Sequence, residues 1–208
     1  MAVTLLTYAR RMNRTGPTPA LLALLIASTL TGAASVADPL HKYGDEGAWC
    51  HVESGWMFPK DVGNFARVLQ PYNIDGNNDA GAEYKQESGP FQGAVEVDVY
   101  AADSAATDAN IDGARTTAAR KAGEGAKVES EKSFQIDAVK GLHGVKVKYA
   151  RDAKAAGGQT NLYYFTTDRW RVKVLAQAKQ AGNESDRALD AFVQALPWNT
   201  LGTNPGIH

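Results

Sequence analysis

The sequence predicts an α+β fold, a single mostly antiparallel β-sheet flanked by two helices, and three observations carry that expectation. From residue 169 to 177 apolar and polar residues alternate: Trp170, Val172, Val174 and Ala176 share one parity, Arg169, Arg171, Lys173 and Gln177 the other. Period two marks a strand with one buried and one wet face. Near the C-terminus Leu189, Phe192, Val193 and Leu196 recur at i, i+3, i+4 and i+7, which is one face of a helix. Between the N-terminal third and that helix lie several short alternating runs but only one other helical stretch. Runs of strands with few helices argue for antiparallel pairing in one sheet.

The N-terminus reads as a leader. Arg10, Arg11 and Arg14 precede an uncharged run from Ala20 to Leu30, and Ala33-Ala34-Ser35-Val36-Ala37 supplies small residues before Asp38-Pro39. These are the parts of a secretory signal peptide, with cleavage expected between Ala37 and Asp38. The greasy centre is well short of the roughly 20 residues of a spanning helix, so no stable membrane span is expected after processing. The expected location is outside the cytoplasm, periplasmic or secreted. Removing residues 1–37 takes away three arginines and no acid, which moves the net charge from −1 to −4. Such a balance offers no basic excess for phosphate backbones and excludes nucleic acid as the expected partner. Cys50 is the only cysteine, so no intramolecular disulfide can form. It is read as a partly buried thiol behaving as a small hydrophobe, with an intermolecular disulfide as the alternative.

Residues 38–54 are polar, rich in Gly and His and aperiodic, and are expected to be a flexible lead-in to one α+β domain over 55–198. Gly55-Trp56-Met57-Phe58-Pro59 opens the packed region. Asp61 to Val68, with Gly63 inside it, suggests two short strands about a tight turn, and the segment 73–81 is turn chemistry throughout. Ala82 to Gln86 reads as a strand that Ser88-Gly89-Pro90 breaks. Val95, Val97 and Val99 against Glu96 and Asp98 give the cleanest strand of this half. Thr107 or Asp108 is positioned to cap a helix running to Ala122, with a thin apolar stripe of Ile111, Ala114, Ala118 and Ala122. Phe134, Ile136 and Ala138, then Val145, Val147 and Tyr149, alternate as a hairpin. Leu162 to Phe165 is the partner of the strand that starts at Trp170. The last helix should begin at an Asn183 cap and end before Pro197, leaving 199–208 as a tail.

The Trp56-to-Arg67 run, Gly81-Ala82-Glu83-Tyr84 with the Val95-to-Tyr100 strand, and Trp170-Arg171-Val172-Lys173-Val174 before a C-terminal helix together resemble a known family. The region from Gly55 to Trp198 is similar to small exported bacterial proteins with the PsbP-like α/β/α sandwich. PsbP itself is an extrinsic photosystem subunit, and a Ran-binding nuclear transport factor shares the sandwich. The resemblance implies a binding or accessory role by analogy. None of the family's partner-binding residues maps onto this chain.

Asp75, Asn77 and Asp79 have the one-three-five spacing of a calcium loop, but Ala80 stands where glycine belongs and Gln86 where the bidentate acid belongs. The segment is therefore read as a polar hairpin loop. Cys50-His51 is a pair of metal-ligand types without companions, so no metal and no cofactor is expected. There is no nucleophile elbow, no phosphate-cradling glycine loop and no H-E-x-x-H. The one candidate surface is basic and aromatic: Arg169, Arg171 and Lys173, with Tyr163 or Tyr164 across the hairpin, would form a patch for an acidic partner or ligand. These readings favour an exported, non-enzymatic binding or accessory module that contacts an unidentified protein or small ligand in the cell envelope. The competing reading is a hydrolase or other small-molecule enzyme with an unrecognised site.

Overall fold

A computed structural model describes residues 39–44, 47–74, 79–86, 88–102, 110–150 and 158–203. In chain order its elements are β1 (Leu40–Tyr43), β2 (Ala48–His51), β3 (Met57–Phe58), β4 (Asp61–Val62), β5 (Phe65–Arg67), β6 (Tyr72–Asn73), β7 (Ala80–Gln86) and β8 (Gly93–Ala101). Then follow α1 (Ile111–Ala122), β9 (Lys127–Gln135), β10 (His143–Ala150), β11 (Gln159–Thr166), β12 (Trp170–Ala178), α2 (Asn183–Ala195) and a 3-10 turn at Trp198–Thr200. The signal peptide with its Ala37–Asp38 cleavage point, the caps Thr107 and Asp108, and the loop residues Asp75 and Asn77 lie outside the described residues.

The strands form two sheets, which corrects the expectation of one. The larger has nine strands in the order β4-β5-β7-β8-β12-β11-β10-β9, with β6 also paired to β7; the smaller is β1-β2-β3. Neighbouring described strands pair antiparallel, including β8 with β12, where Val99, Val97 and Val95 stand opposite Val172, Val174 and Ala176. The second sheet comes from the segment expected as a flexible lead-in. Its β1–β2 hairpin buries few side chains, chiefly Leu40, Cys50 and His51, so no period-two signal reaches the sequence. It docks through Leu40, Trp56 and Phe58, which join the core beneath α2. There Trp198 links the two sheets, its ring 5.1 Å from Trp56 and 4.5 Å from Phe165.

Each face of the large sheet has its own apolar cluster, so the order of layers is helix, sheet, helix. On one face the valines of β8 and β12 meet Leu189, Phe192, Val193 and Leu196 of α2. On the other, Ala114, Ala118 and Ala122 of α1 lie against Val147, Tyr149, Leu162, Tyr164 and Leu175. Alanines bring α1 close to the sheet at little side-chain cost. The helix is capped by Asn110, whose Oδ1 accepts the Gly113 N–H at 2.8 Å. At α2, Asn183 is the first helical residue and Gly182 holds the cap position.

The first strand of the second hairpin also lies earlier than expected: β9 ends at Gln135, before Ile136. It is the margin of the sheet, and almost every residue in it is exposed. Lys127, Glu129, Glu131 and Lys132 charge this edge, which discourages pairing with another chain and erases any apolar alternation. The C-terminal turn is tied to the small sheet at Gly55. Gly202 N–H donates to Ser54 O at 2.7 Å, and a Cβ at Gly55 would fall 1.7 Å from Thr203 O. Gly55 also has φ +70°, a region costly for other residues. Gly55→Ala is therefore expected to lose at least about 1–3 kcal/mol in urea unfolding; an unchanged midpoint would show that the turn does not dock there.

Candidate binding surface

Of the four residues expected to share a surface, Tyr163 lies on one face of the sheet and Arg171 and Lys173 on the other. Tyr163 faces α2: it is fully buried and its hydroxyl donates to Asp190 Oδ1 at 2.5 Å, with Lys146 Nζ 2.5 Å from the same oxygen. Burial and the neighbouring carboxylates hold its phenol in the protonated form, well above the ordinary value. Lys173 and Arg171 point to the opposite face, and Tyr164 is the residue across from Lys173. Lys173 is only 3% exposed, its Nζ 3.0 Å from Asp98 Oδ2 and 5.2 Å from the centre of the Tyr100 ring. Arg171 turns back on the β11–β12 turn, where Nη1 donates to Thr167 O at 2.6 Å. Arg169 is exposed in that turn. The structure brings Arg169 and Arg171 near one turn and does not bring Tyr163 or Lys173 to them.

Asp98 was legible only as a wet-face carboxylate. It is buried instead, accepting from Tyr100 at 3.1 Å besides facing Lys173. Burial raises its pKa from the ordinary carboxylate value, opposed by Lys173. Lys148 behaves similarly on the α2 side, paired with Asp186 at 3.2 Å and Glu129 at 3.4 Å. These pairs neutralise charge at the positions where elements meet, and they leave little unbalanced charge for an acidic ligand.

Three of the exposed large apolar side chains stand close together in sequence. The outer side of β7 is paired by β5 over Gln86 to Tyr84 and by β6 over Gly81 and Ala80. Between those pairings the chain leaves the ladder at residues 68–71, and this excursion carries Val68 at 42% exposure and Leu69 at 64%, followed by Tyr72 at 42%. Both ends are held. Val68 N–H donates to Glu83 O at 2.9 Å, and past β6 Ile74 N–H donates to Asp79 O at 2.8 Å. Pro71 is buried and fixes its own φ. One edge of the Tyr72 ring lies by Gly81 and Asp98, close enough that a Cβ at Gly81 would sit 3.0 Å from the ring. Burial and the Asp98, Glu96 and Glu83 carboxylates push the Tyr72 phenol well up. The period-two alternation that marks strands does not reach residues 69–72, and Gln70-Pro71 within them was the available signal for a turn.

The remaining candidates are quiet. Cys50 is fully buried and its thiol is pushed up by that burial, which keeps it protonated. His51 is buried beside it, with Nδ1 2.7 Å from Ser54 Oγ and the ring edge-on to Trp170. Among the described residues no group of three His, Cys, Asp or Glu is arranged to hold a metal ion. Asp79, from the calcium-like spacing, caps a strand end by accepting the Ala101 N–H at 3.1 Å. No described helix is long and apolar enough to cross a membrane.

No protein-family model matches the chain, and no curated protein matches it. Among solved structures it is similar to cyanobacterial PsbP (CyanoP) from Synechocystis sp. PCC 6803, with 12% identity over 80% of this chain and 95% of that one, and a TM-score of 0.39. The likeness is to the fold of that protein and carries no statement about function.

Proposed function

We propose that this chain is an exported, non-enzymatic binding or accessory module of the cell envelope, and that it docks a protein partner through the lip formed by Val68, Leu69 and Tyr72. Export rests on the leader over residues 1–37. Docking rests on one observation: three large apolar side chains are exposed within five residues on a sheet-edge turn anchored at both ends. Singly exposed apolar residues are ordinary, whereas clustered ones mark contact surfaces. A turn already held by the ladder loses little conformational freedom when a partner covers it. Burying Leu69 alone would then contribute about 1.5–3 kcal/mol to the complex.

The test uses a photo-crosslinking residue at position 69, with position 124 in the exposed turn after α1 as the control. In the native envelope a discrete adduct is expected from position 69, competed by the unlabelled protein and lost in a Val68→Ser background of unchanged melting temperature. Identical adduct patterns from positions 69 and 124 would refute the lip as a docking surface.

A further inference from the structure

Tyr72, Gly81, Asp98 and Lys173 stand directly opposite one another in four successive strands, β6, β7, β8 and β12. Directly opposite residues send their side chains to one face of a sheet, so these four make a single row across it. Gly81 leaves a gap in that row. A Cβ there would fall 2.5 Å from Asp98 Oδ1 and 3.0 Å from Cε2 and Cζ of the Tyr72 ring. Ring and carboxylate thus converge on the space above the glycine, while part of Tyr72 stays in solvent.

The carboxylate is satisfied on one side only. Oδ2 faces Lys173 Nζ at 3.0 Å and accepts the Tyr100 hydroxyl at 3.1 Å. Oδ1, the oxygen beside Gly81, is buried and has no hydrogen-bond partner among the described residues. A buried acceptor without a donor is unfavourable, and most so when it carries charge. Two events relieve it: a proton on the carboxyl group, or water admitted by withdrawal of the ring. Burial holds the Asp98 pKa above the ordinary carboxylate value, against the pull of Lys173, so the seated ring goes with the protonated form.

We propose that Tyr72 is a pH-dependent lid, seated over Gly81 while Asp98 is neutral and lifted to let water reach Oδ1 once Asp98 ionises. This rests on the reading of Val68, Leu69 and Tyr72 as a docking lip, and it regulates that lip: the surface keeps its shape in acid and loosens as pH rises. The other charged groups around the carboxylate are already engaged. Glu96 on β8 is bound to Lys121 of α1, Glu83 on β7 to Lys85 at 2.7 Å, and Lys173 on β12 to Oδ2 of Asp98 itself. Tyr100 donates to that same oxygen. The Tyr72 phenol is held protonated by burial and by the Asp98, Glu96 and Glu83 carboxylates, so it does not titrate with the lid.

The decisive experiment is an NMR titration of the full chain from about pH 4 upward, with the side-chain carboxyl carbon of Asp98 reporting its ionisation. The nuclear Overhauser contact between the Tyr72 ring protons and Gly81 Hα reports the lid. Its intensity is expected to fall several-fold with the midpoint of the Asp98 carbon, and to stay high at every pH in Asp98→Asn. If Asp98→Asn does not fold because it strands Lys173, the double variant with Lys173→Met takes its place. An intensity that stays flat with pH, whether or not Asp98 titrates, or that falls equally in the variant, overturns the lid. Crosslinking from position 69 at both ends of the titration separates the lid from the docking reading. An adduct that weakens as the lid lifts supports both. A moving lid with no adduct at either end refutes docking and upholds the lid; a flat contact with adducts at both ends keeps docking and overturns the lid.

Discussion

Phe192→Ala is expected to cost the fold about 3–5 kcal/mol, and Phe192→Asp to leave no folded chain. The ring lies where α2 meets the sheet, 4.6 Å from Phe65 and 5.4 Å from Tyr84, and it is almost fully buried. Truncation to alanine removes both aromatic contacts and leaves a cavity that the flanking β5 and β7 cannot fill without losing their own register. A domain of this size has about 5–15 kcal/mol in hand, so the alanine variant is left near the margin. Aspartate adds a charge among aromatic rings. The neighbouring Ala191 is exposed on the same helix, and Ala191→Asp is the matched control. Urea unfolding followed by far-UV circular dichroism decides the matter: equal midpoints for Phe192→Ala and wild type would mean that α2 does not pack on this face.

How much was legible in the sequence depended on how each residue is buried. Strands β8 and β12 were readable because one parity carries valines and alanines into the α2-side core, and α2 because its apolar face has helical spacing. β9 was displaced in the reading because an edge strand exposed on both faces has no reason to alternate. The small sheet was missed because β1 to β3 are two to four residues long and bury only a few side chains. The basic surface dissolved for a different reason. Lys173 and Asp98 each look wet within their own strand, and only the β8–β12 register, which sets them directly opposite, makes them a buried pair. Local periodicity assigns each residue to a face of its strand but does not say which residue of a non-adjacent strand stands opposite it. The apolar lip has a different problem, since residues 69–72 carry no period-two alternation and the gap between β5 and β6 turns Val68, Leu69 and Tyr72 outward.

That buried pair gives the other large effect. Lys173→Met keeps much of the side-chain volume but strands the Asp98 carboxylate, and breaking a buried pair in this way costs about 3–5 kcal/mol. The loss should depend on pH in a defined sense. Burial already holds the folded Asp98 pKa above its unfolded value of about 3.9. The folded state therefore binds that proton more tightly than the unfolded chain, and stability falls as pH rises from the unfolded value through the folded one. Lys173 acts to lower the folded value, so the methionine variant raises it further and widens that window upward. The deficit of Lys173→Met relative to wild type is accordingly expected to be smallest in acid, where Asp98 is protonated in both proteins, and to grow toward alkaline pH. Adding Asp98→Asn removes the stranded charge, and the double variant should recover most of the loss, because a neutral pair in this position no longer pays for desolvation of an ion. Denaturant unfolding of the four proteins of this cycle at acidic and alkaline pH provides the measurement. A deficit independent of pH, or additive losses in the double variant, would show that Lys173 supports the sheet by packing and hydrogen bonding and that its charge is incidental.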